Sequence, residues 1–189
     1  MEQIIEILTN WIQEFVVSNN IILSVIVGGV VVILESILPF LPLAVFIAIN
    51  VIAFGPLLGF IISYIGTIIG CTISFYIVRY LQKYNKSKKV QLLINKFESL
   101  SFSSLVIITA LPFTPAFSIN IAAGLSKIKY RKFLFILLIS KLSTIYFWGF
   151  IGTTLLESIT DITIIIRVLV ILLVSFILSK IVMKYFDVD

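Results

Sequence analysis

The sequence predicts an all-α integral membrane protein, an inverted repeat of re-entrant hairpin plus transmembrane helix with an extra C-terminal transmembrane helix. Three observations predict it. With 60% hydrophobic residues, 12% charged residues and a mean hydropathy of +1.20, a 189-residue chain carries more apolar surface than a water-soluble core of that size hides. Two apolar stretches are each interrupted by paired prolines. Leu38-Pro39-Phe40-Leu41-Pro42 returns as Leu111-Pro112-Phe113-Thr114-Pro115, with four of five positions identical at an offset of 73. Clusters of Lys and Arg flank the second stretch on both sides, which restricts how it can lie in a bilayer. No Gly/Ser/Pro-rich linker divides the chain, so 1–189 is expected to form one membrane domain.

Residues 1–20 suggest an amphipathic helix. Ile4, Leu8, Trp11 and Phe15 recur at helical spacing, with Glu6, Asn10, Gln13 and Glu14 mostly elsewhere around the wheel. Two placements fit, a helix lying on the membrane surface and an arm packed on the bundle. Glu2, Glu6 and Glu14 without any Lys or Arg do not make the positive n-region of a signal peptide.

Residues 21–54 are apolar with Glu35 as their one charge, and Pro39 and Pro42 break any helix there. Freed backbone groups at membrane depth are tolerated only against protein or a water-filled cavity, so this stretch is expected to dip in and turn back as re-entrant hairpin 1. Gly55-Pro56 signals a turn. Residues 57–78 then give 22 consecutive uncharged residues, one full span. Gly59, Ser63, Gly66, Gly70 and Ser74 line one face of it, for close packing inside the protomer or for a homo-oligomer seam.

The connection 79–101 collects Arg79, Lys83, Lys86, Lys88, Lys89 and Lys96, which makes it cytoplasmic by the positive-inside rule. Residues 102–126, broken at Pro112 and Pro115, precede a second basic cluster of Lys127, Lys129, Arg131 and Lys132. A single crossing would put the two clusters on opposite sides. A re-entrant hairpin 2 keeps both in the cytoplasm. Residues 133–156 then span outward, Glu157 and Asp161 form an external turn, and 162–183 return with Lys180 and Lys184 inside. Hairpin 1 accordingly opens to the outer face, and the two halves have opposite orientation. The expected location is the cell (plasma) membrane, multi-pass.

Absences narrow the chemistry. The sequence has no histidine and one cysteine, Cys71, so imidazole bases, Ser/His triads and the usual zinc sites are missing, and no internal disulfide can form. There is no GxxxxGK[ST] or GxGxxG, so neither an ATP-driven mechanism nor a cofactor is indicated. The net charge of +5 is clustered beside apolar spans, which suits anionic or phosphate-bearing lipids as partners and not nucleic acid.

The functional candidates are the charges and polar groups inside apolar segments. An ionised acid at membrane depth costs about 2.5–3.5 kcal/mol on insertion scales, which makes Glu35 a proton or substrate site, or else a buried acid bonded only to frayed backbone. Lys141 lies about 12 Å into its span, at helical rise, and either snorkels to the cytoplasm or faces a hydrophilic cavity. Asn120 is a third site candidate, for a headgroup or for capping hairpin backbone. Arg79, Lys127, Arg131 and Arg167 are candidate headgroup contacts.

These residues resemble the DedA superfamily, also called the VTT-domain or SNARE-associated membrane proteins, over 21–152. The resemblance rests on Glu35-x-x-x-Pro39-x-x-Pro42, on the glycine-rich span ending in Tyr76 and Arg79, and on Pro112-x-x-Pro115 followed by Asn120-Ile-Ala-Ala-Gly124-Leu-Ser-Lys-Ile-Lys-Tyr-Arg131-Lys-Phe133. It implies paired re-entrant hairpins and lipid translocation, since bacterial members recycle the polyprenyl-phosphate carrier of wall synthesis and eukaryotic relatives scramble phospholipids. Three positions depart from the family pattern. Thr109 and Pro115 stand where arginines are common, and Ala44 where a second acid is common. The function expected is a non-enzymatic flippase or scramblase for phosphate-bearing lipids. The alternatives are a proton- or ion-coupled carrier of a small solute and a membrane-organising protein without transport.

Overall fold

The structure, a computed structural model, describes residues 21–38, 43–81, 88–114, 116–157 and 161–185. The expected helix over 1–20 and the breaking residues Pro39, Pro42 and Pro115 lie outside the described residues. The described chain forms seven α-helices: α1 Ile21–Ile37, α2 Leu43–Leu81, α3 Lys88–Ser99, α4 Phe102–Ala110, α5 Ala116–Leu125, α6 Tyr130–Glu157 and α7 Ile162–Tyr185. Three are long and apolar enough to cross a membrane, within Leu43–Leu81, Tyr130–Thr154 and Ile162–Tyr185.

Local chemistry sets the helix ends. α2 is broken at Gly55, whose φ of 79° and ψ of 167° are open to glycine and strained for other residues, and Pro56 then restarts the helix with its fixed φ. The chain folds back there, because a Cβ at Gly59 would collide with the backbone of Asn50 and Val51. Asn50 donates from Nδ2 to Ser63 Oγ at 3.0 Å and pins the two arms together. Ser101 caps α4 by accepting the Ser104 N–H at 3.1 Å, and α4 ends where Leu111 turns extended before Pro112. Asp161 caps α7 through the Thr163 N–H at 2.8 Å.

Small residues bring α1 onto both arms of α2. Gly28 meets Asn50 and Phe54, while Gly66 meets Gly29 and Val32, and Gly70 meets Ile33 and Ser36. Partners in 56–81 therefore rise in number along α1, so α1 runs parallel to that arm, and 43–54, folded back on it through Asn50, runs antiparallel to both. The small-residue stripe packs inside the protomer. Against α6, residues 56–81 run antiparallel, with Phe75 stacked on Phe133 at 5.0 Å and the Tyr64 hydroxyl donating to the Leu138 carbonyl at 2.7 Å. The arm 43–54 crosses to the later part of α6, where Ile47 and Val51 meet Ile145 and Gly149.

The second broken segment divides in the same way. Leu105 and Ile108 of α4 are buried with Phe133, Ile136 and Leu137 of α6, whereas α5 packs on α2, with Gly124 against Phe75 and Val78. In both halves the first arm thus lies along its own following span and the second arm along the other half's span. α7 stays peripheral, burying Val168, Ser179 and Met183 and exposing Ile166, Leu169, Leu173 and Ile177, as a helix facing lipid does.

Two details correct the expected boundaries. The span placed at 57–78 continues as helix to Leu81 and carries Arg79, and the connection 79–101 contains α3. Its turn-spaced apolar residues Ile94 and Phe97 (the latter buried against the bundle) were a readable helix signal.

Candidate functional site

Most polar side chains that this sequence puts in apolar helices point inward, and several meet at one level. On α6, Ser140, Lys141 and Thr144 are buried while Ile139, Leu142 and Tyr146 face out, so the helix carries a narrow polar stripe toward the protein. Phe133, Ile136 and Leu137 of α6 belong to one apolar cluster and Ile145 to another. Between them Lys141 and Thr144 open onto a cavity of about 410 Å³.

Each half contributes to this cavity where its helices break. The first half supplies Glu35 and Ser36 from the end of α1, Leu43 and Ala44 from the start of α2, and Thr67 and Cys71 from the span. The second supplies Thr109 and residues 111–114 from the break, Phe117 from α5, and Lys141, Thr144 and Trp148 from α6. Glu35 is 9% exposed and Lys141 2%, and the charge of Lys141 acts on the Glu35 carboxyl. The cavity thus holds one cation and one acid among its described lining residues.

Hydroxyls complete the polar lining. Thr144 Oγ1 donates toward the carbonyls of Thr109 and Ala110 at 3.4 and 3.1 Å, covering acceptors freed where α4 stops at Pro112. The hydroxyls of Thr67, Thr109 and Thr114 are buried without a hydrogen-bond partner. Buried donors of this kind rarely stay unused, so they are available to a polar group entering the cavity. Chemically, the site can receive an anion beside Lys141, bond it through threonine hydroxyls, and hold a proton or a cation on Glu35.

The remaining sequence candidates are distributed otherwise. Asn120 lies inside α5, 1% exposed and with Nδ2 unpartnered, outside the cavity lining and away from a capping position. Pro112 lines the cavity. Arg79 is held by the protein: Nε donates to the Gly124 carbonyl at 3.1 Å and Nη2 to those of Ala123 and Ser126, with the guanidinium 4.3 Å over the Phe75 ring. It therefore caps the C-terminus of α5. Lys127 and Arg131 are exposed near the start of α6, and Arg167 is exposed on α7, away from the cavity. The sequence did not single out Thr67, Thr114, Thr144 or Trp148. Hydroxyls on apolar helices commonly bond their own backbone, and which of them face a cavity depends on packing.

Comparison with known proteins gives a family and two relatives. The VTT domain profile matches residues 41–154. The chain is 34% identical over 158 residues to the uncharacterized membrane protein YhjE of Bacillus subtilis (strain 168), covering 78% of this chain and 75% of that one. It is 27% identical over 128 residues to the uncharacterized protein YqeD of the same organism, covering 65% and 62%. No solved structure matches the chain.

Proposed function

The chain belongs to the VTT-domain family, a family of membrane proteins, and on that premise we propose that it moves phosphate-bearing lipids between leaflets without ATP, through the cavity between its two halves. One observation carries this reading. A carboxylate from the first half and a lysine from the second are buried together where both halves break their helices, lining one polar cavity inside an otherwise apolar bundle. Charges at membrane depth mark substrate or proton pathways far more often than packing.

In this reading the headgroup crosses through the cavity while its tails remain in lipid. The Lys141 ammonium meets the phosphate, and the hydroxyls of Thr67, Thr109 and Thr114 donate to its oxygens. Glu35 balances the cation between turnovers and takes up a proton, or a headgroup amine, as the phosphate arrives. Lys141 thereby supplies positive charge to a chain that has Thr109 and Pro115 where arginines are common in the family. An ammonium is a point charge without the bidentate fork of a guanidinium, which favours loose, transient engagement.

The helix lengths support the membrane arrangement. α4 and α5, with 9 and 10 residues, are each about 14–15 Å long, half of a hydrocarbon core of about 30 Å. They fit a re-entrant hairpin and not two crossings. The reciprocal packing of arms and spans fits an inverted repeat whose broken helices meet near the midplane.

Liposomes containing the purified chain, fluorescent phospholipid or polyprenyl phosphate, and an internal pH-sensitive dye test the proposal. Lipid exchange above protein-free liposomes is expected, and proton flux with it marks coupling. Correctly reconstituted protein that moves neither lipid refutes it.

A further inference from the structure

A second cavity, of about 290 Å³, lies at the end of the bundle that carries the basic clusters and shares no lining residue with the first. Its floor is apolar. Leu105 and Phe97 are 2% and 5% exposed and belong to the main core cluster, with Leu100 and Ile128 packed against them. Its rim is cationic, formed by the exposed Lys127, Lys129 and Lys132 together with Glu98.

The rim is held in place by hydrogen bonds. Glu98 Oε1 accepts the Lys127 N–H at 2.7 Å, Ser126 Oγ accepts the Ile128 N–H at 3.2 Å and donates to the Ala123 carbonyl at 2.9 Å, and Arg79 holds the Ser126 carbonyl. The lysines therefore project from a fixed turn instead of a floppy loop. Three ammonium groups face one carboxylate that is already engaged, which leaves the cavity positive. An anionic group fits the rim, and the apolar floor calls for a hydrophobic portion attached to it. Such a cavity beside the ends of three apolar spans is reached from the lipid–water boundary, where both parts occur in one molecule.

We propose that this cavity binds the phosphate headgroup of an anionic membrane lipid, with the phosphate among Lys127, Lys129 and Lys132 and the first apolar carbons on Phe97 and Leu105. The site does not depend on transport through the central cavity. Bound lipid ties α3 to α4 and to the start of α6, and it accounts for a hollow that keeps three like charges together at the edge of the core.

The test titrates the purified full chain, in neutral detergent, with phosphatidylglycerol, phosphatidylcholine or sn-glycerol 3-phosphate and follows thermal stability. Phosphatidylglycerol is expected to raise Tm saturably, and the other two to do so at least about tenfold more weakly, since one lacks net charge and the other lacks the apolar part. The double variant Lys129→Gln/Lys132→Gln should weaken phosphatidylglycerol binding at least about tenfold, while the equally neutralising Lys180→Gln/Lys184→Gln at the same end of the bundle should change it less than about twofold. Equal losses in the two double variants overturn the site in favour of diffuse surface charge. Glycerol phosphate binding as tightly as the lipid makes it a soluble-anion site instead, and phosphatidylcholine doing so removes the electrostatic argument; either result refutes the proposal. Should the Lys129/Lys132 variant have a shifted Tm before lipid is added, the phosphatidylglycerol retained per protomer in native mass spectrometry makes the same comparison.

Discussion

Glu35 and Lys141 are buried at 9% and 2% exposure and line one polar cavity. Removing either one strands a charge at a cost of about 3 kcal/mol, while removing both is close to neutral. Glu35→Gln and Lys141→Met are each expected to lower Tm in detergent, and the double variant to regain most of the loss. Lipid exchange separates function from packing: the double variant should be stable and at least about tenfold slower than the native chain, because both groups that meet the headgroup are gone. Recovery of stability and exchange together would reduce the pair to structure. Arg79 offers a second test at this scale. Its guanidinium satisfies two terminal carbonyls of α5, those of Ala123 and Gly124, together with that of Ser126 just beyond it, and covers Phe75. Arg79→Lys keeps the charge and loses the fork, so it should cost about 1–3 kcal/mol, read as a lower Tm, nearly as much as Arg79→Gln.

Among the elements, contact geometry separates glycines that set helix spacing from those that do not. A Cβ at Gly70 would lie 2.5 Å from Ser36 Cβ and 2.7 Å from the Ile33 carbonyl oxygen, while one at Gly149 would meet Ile47 and Val51 at an ordinary 3.6 Å. Gly70→Ala is expected to push α1 outward, lowering Tm and disturbing Glu35, which lies between the contacted Ile33 and Ser36. Gly149→Ala should be neutral or stabilising by up to about 1 kcal/mol through helix propensity. Equal effects of the two changes would mean that α1 does not pack on the span through this face. The sequence made much of this layer legible: the Gly55-Pro56 turn, the break at Pro112, the small-residue face and the three long apolar helices all follow from residue chemistry. It left open whether the small-residue face served the protomer or a partner, because periodicity states that a face is small and not what approaches it.

For the molecule as a whole, the packing makes a definite forecast about sidedness. Residue 79 and residues 123–126 are in contact, so the start of the basic connection and the end of the second broken segment lie at one end of the bundle. Ser126 is buried and makes a poor reporter, whereas Lys129 is exposed. In a Cys71→Ala background, Asn85→Cys and Lys129→Cys should both react with an impermeant thiol reagent from the cytoplasmic side, and Asp161→Cys only from the opposite side. Reaction of the first two from opposite sides would make 102–126 a crossing and refute the proposed inverted repeat. The sequence by itself determined that the chain lives in a bilayer, where its helices break and which charges lie in apolar surroundings, because composition, proline chemistry and charge position are properties of the chain before it folds. Only the tertiary structure decided that Glu35 and Lys141 share a cavity, that threonines complete it and that Arg79 caps α5. The Arg79 contacts join residues 44 to 47 positions apart and the shared cavity joins Glu35 to Lys141 across 106, and their distances are set by how small side chains let helices approach, which no local pattern encodes.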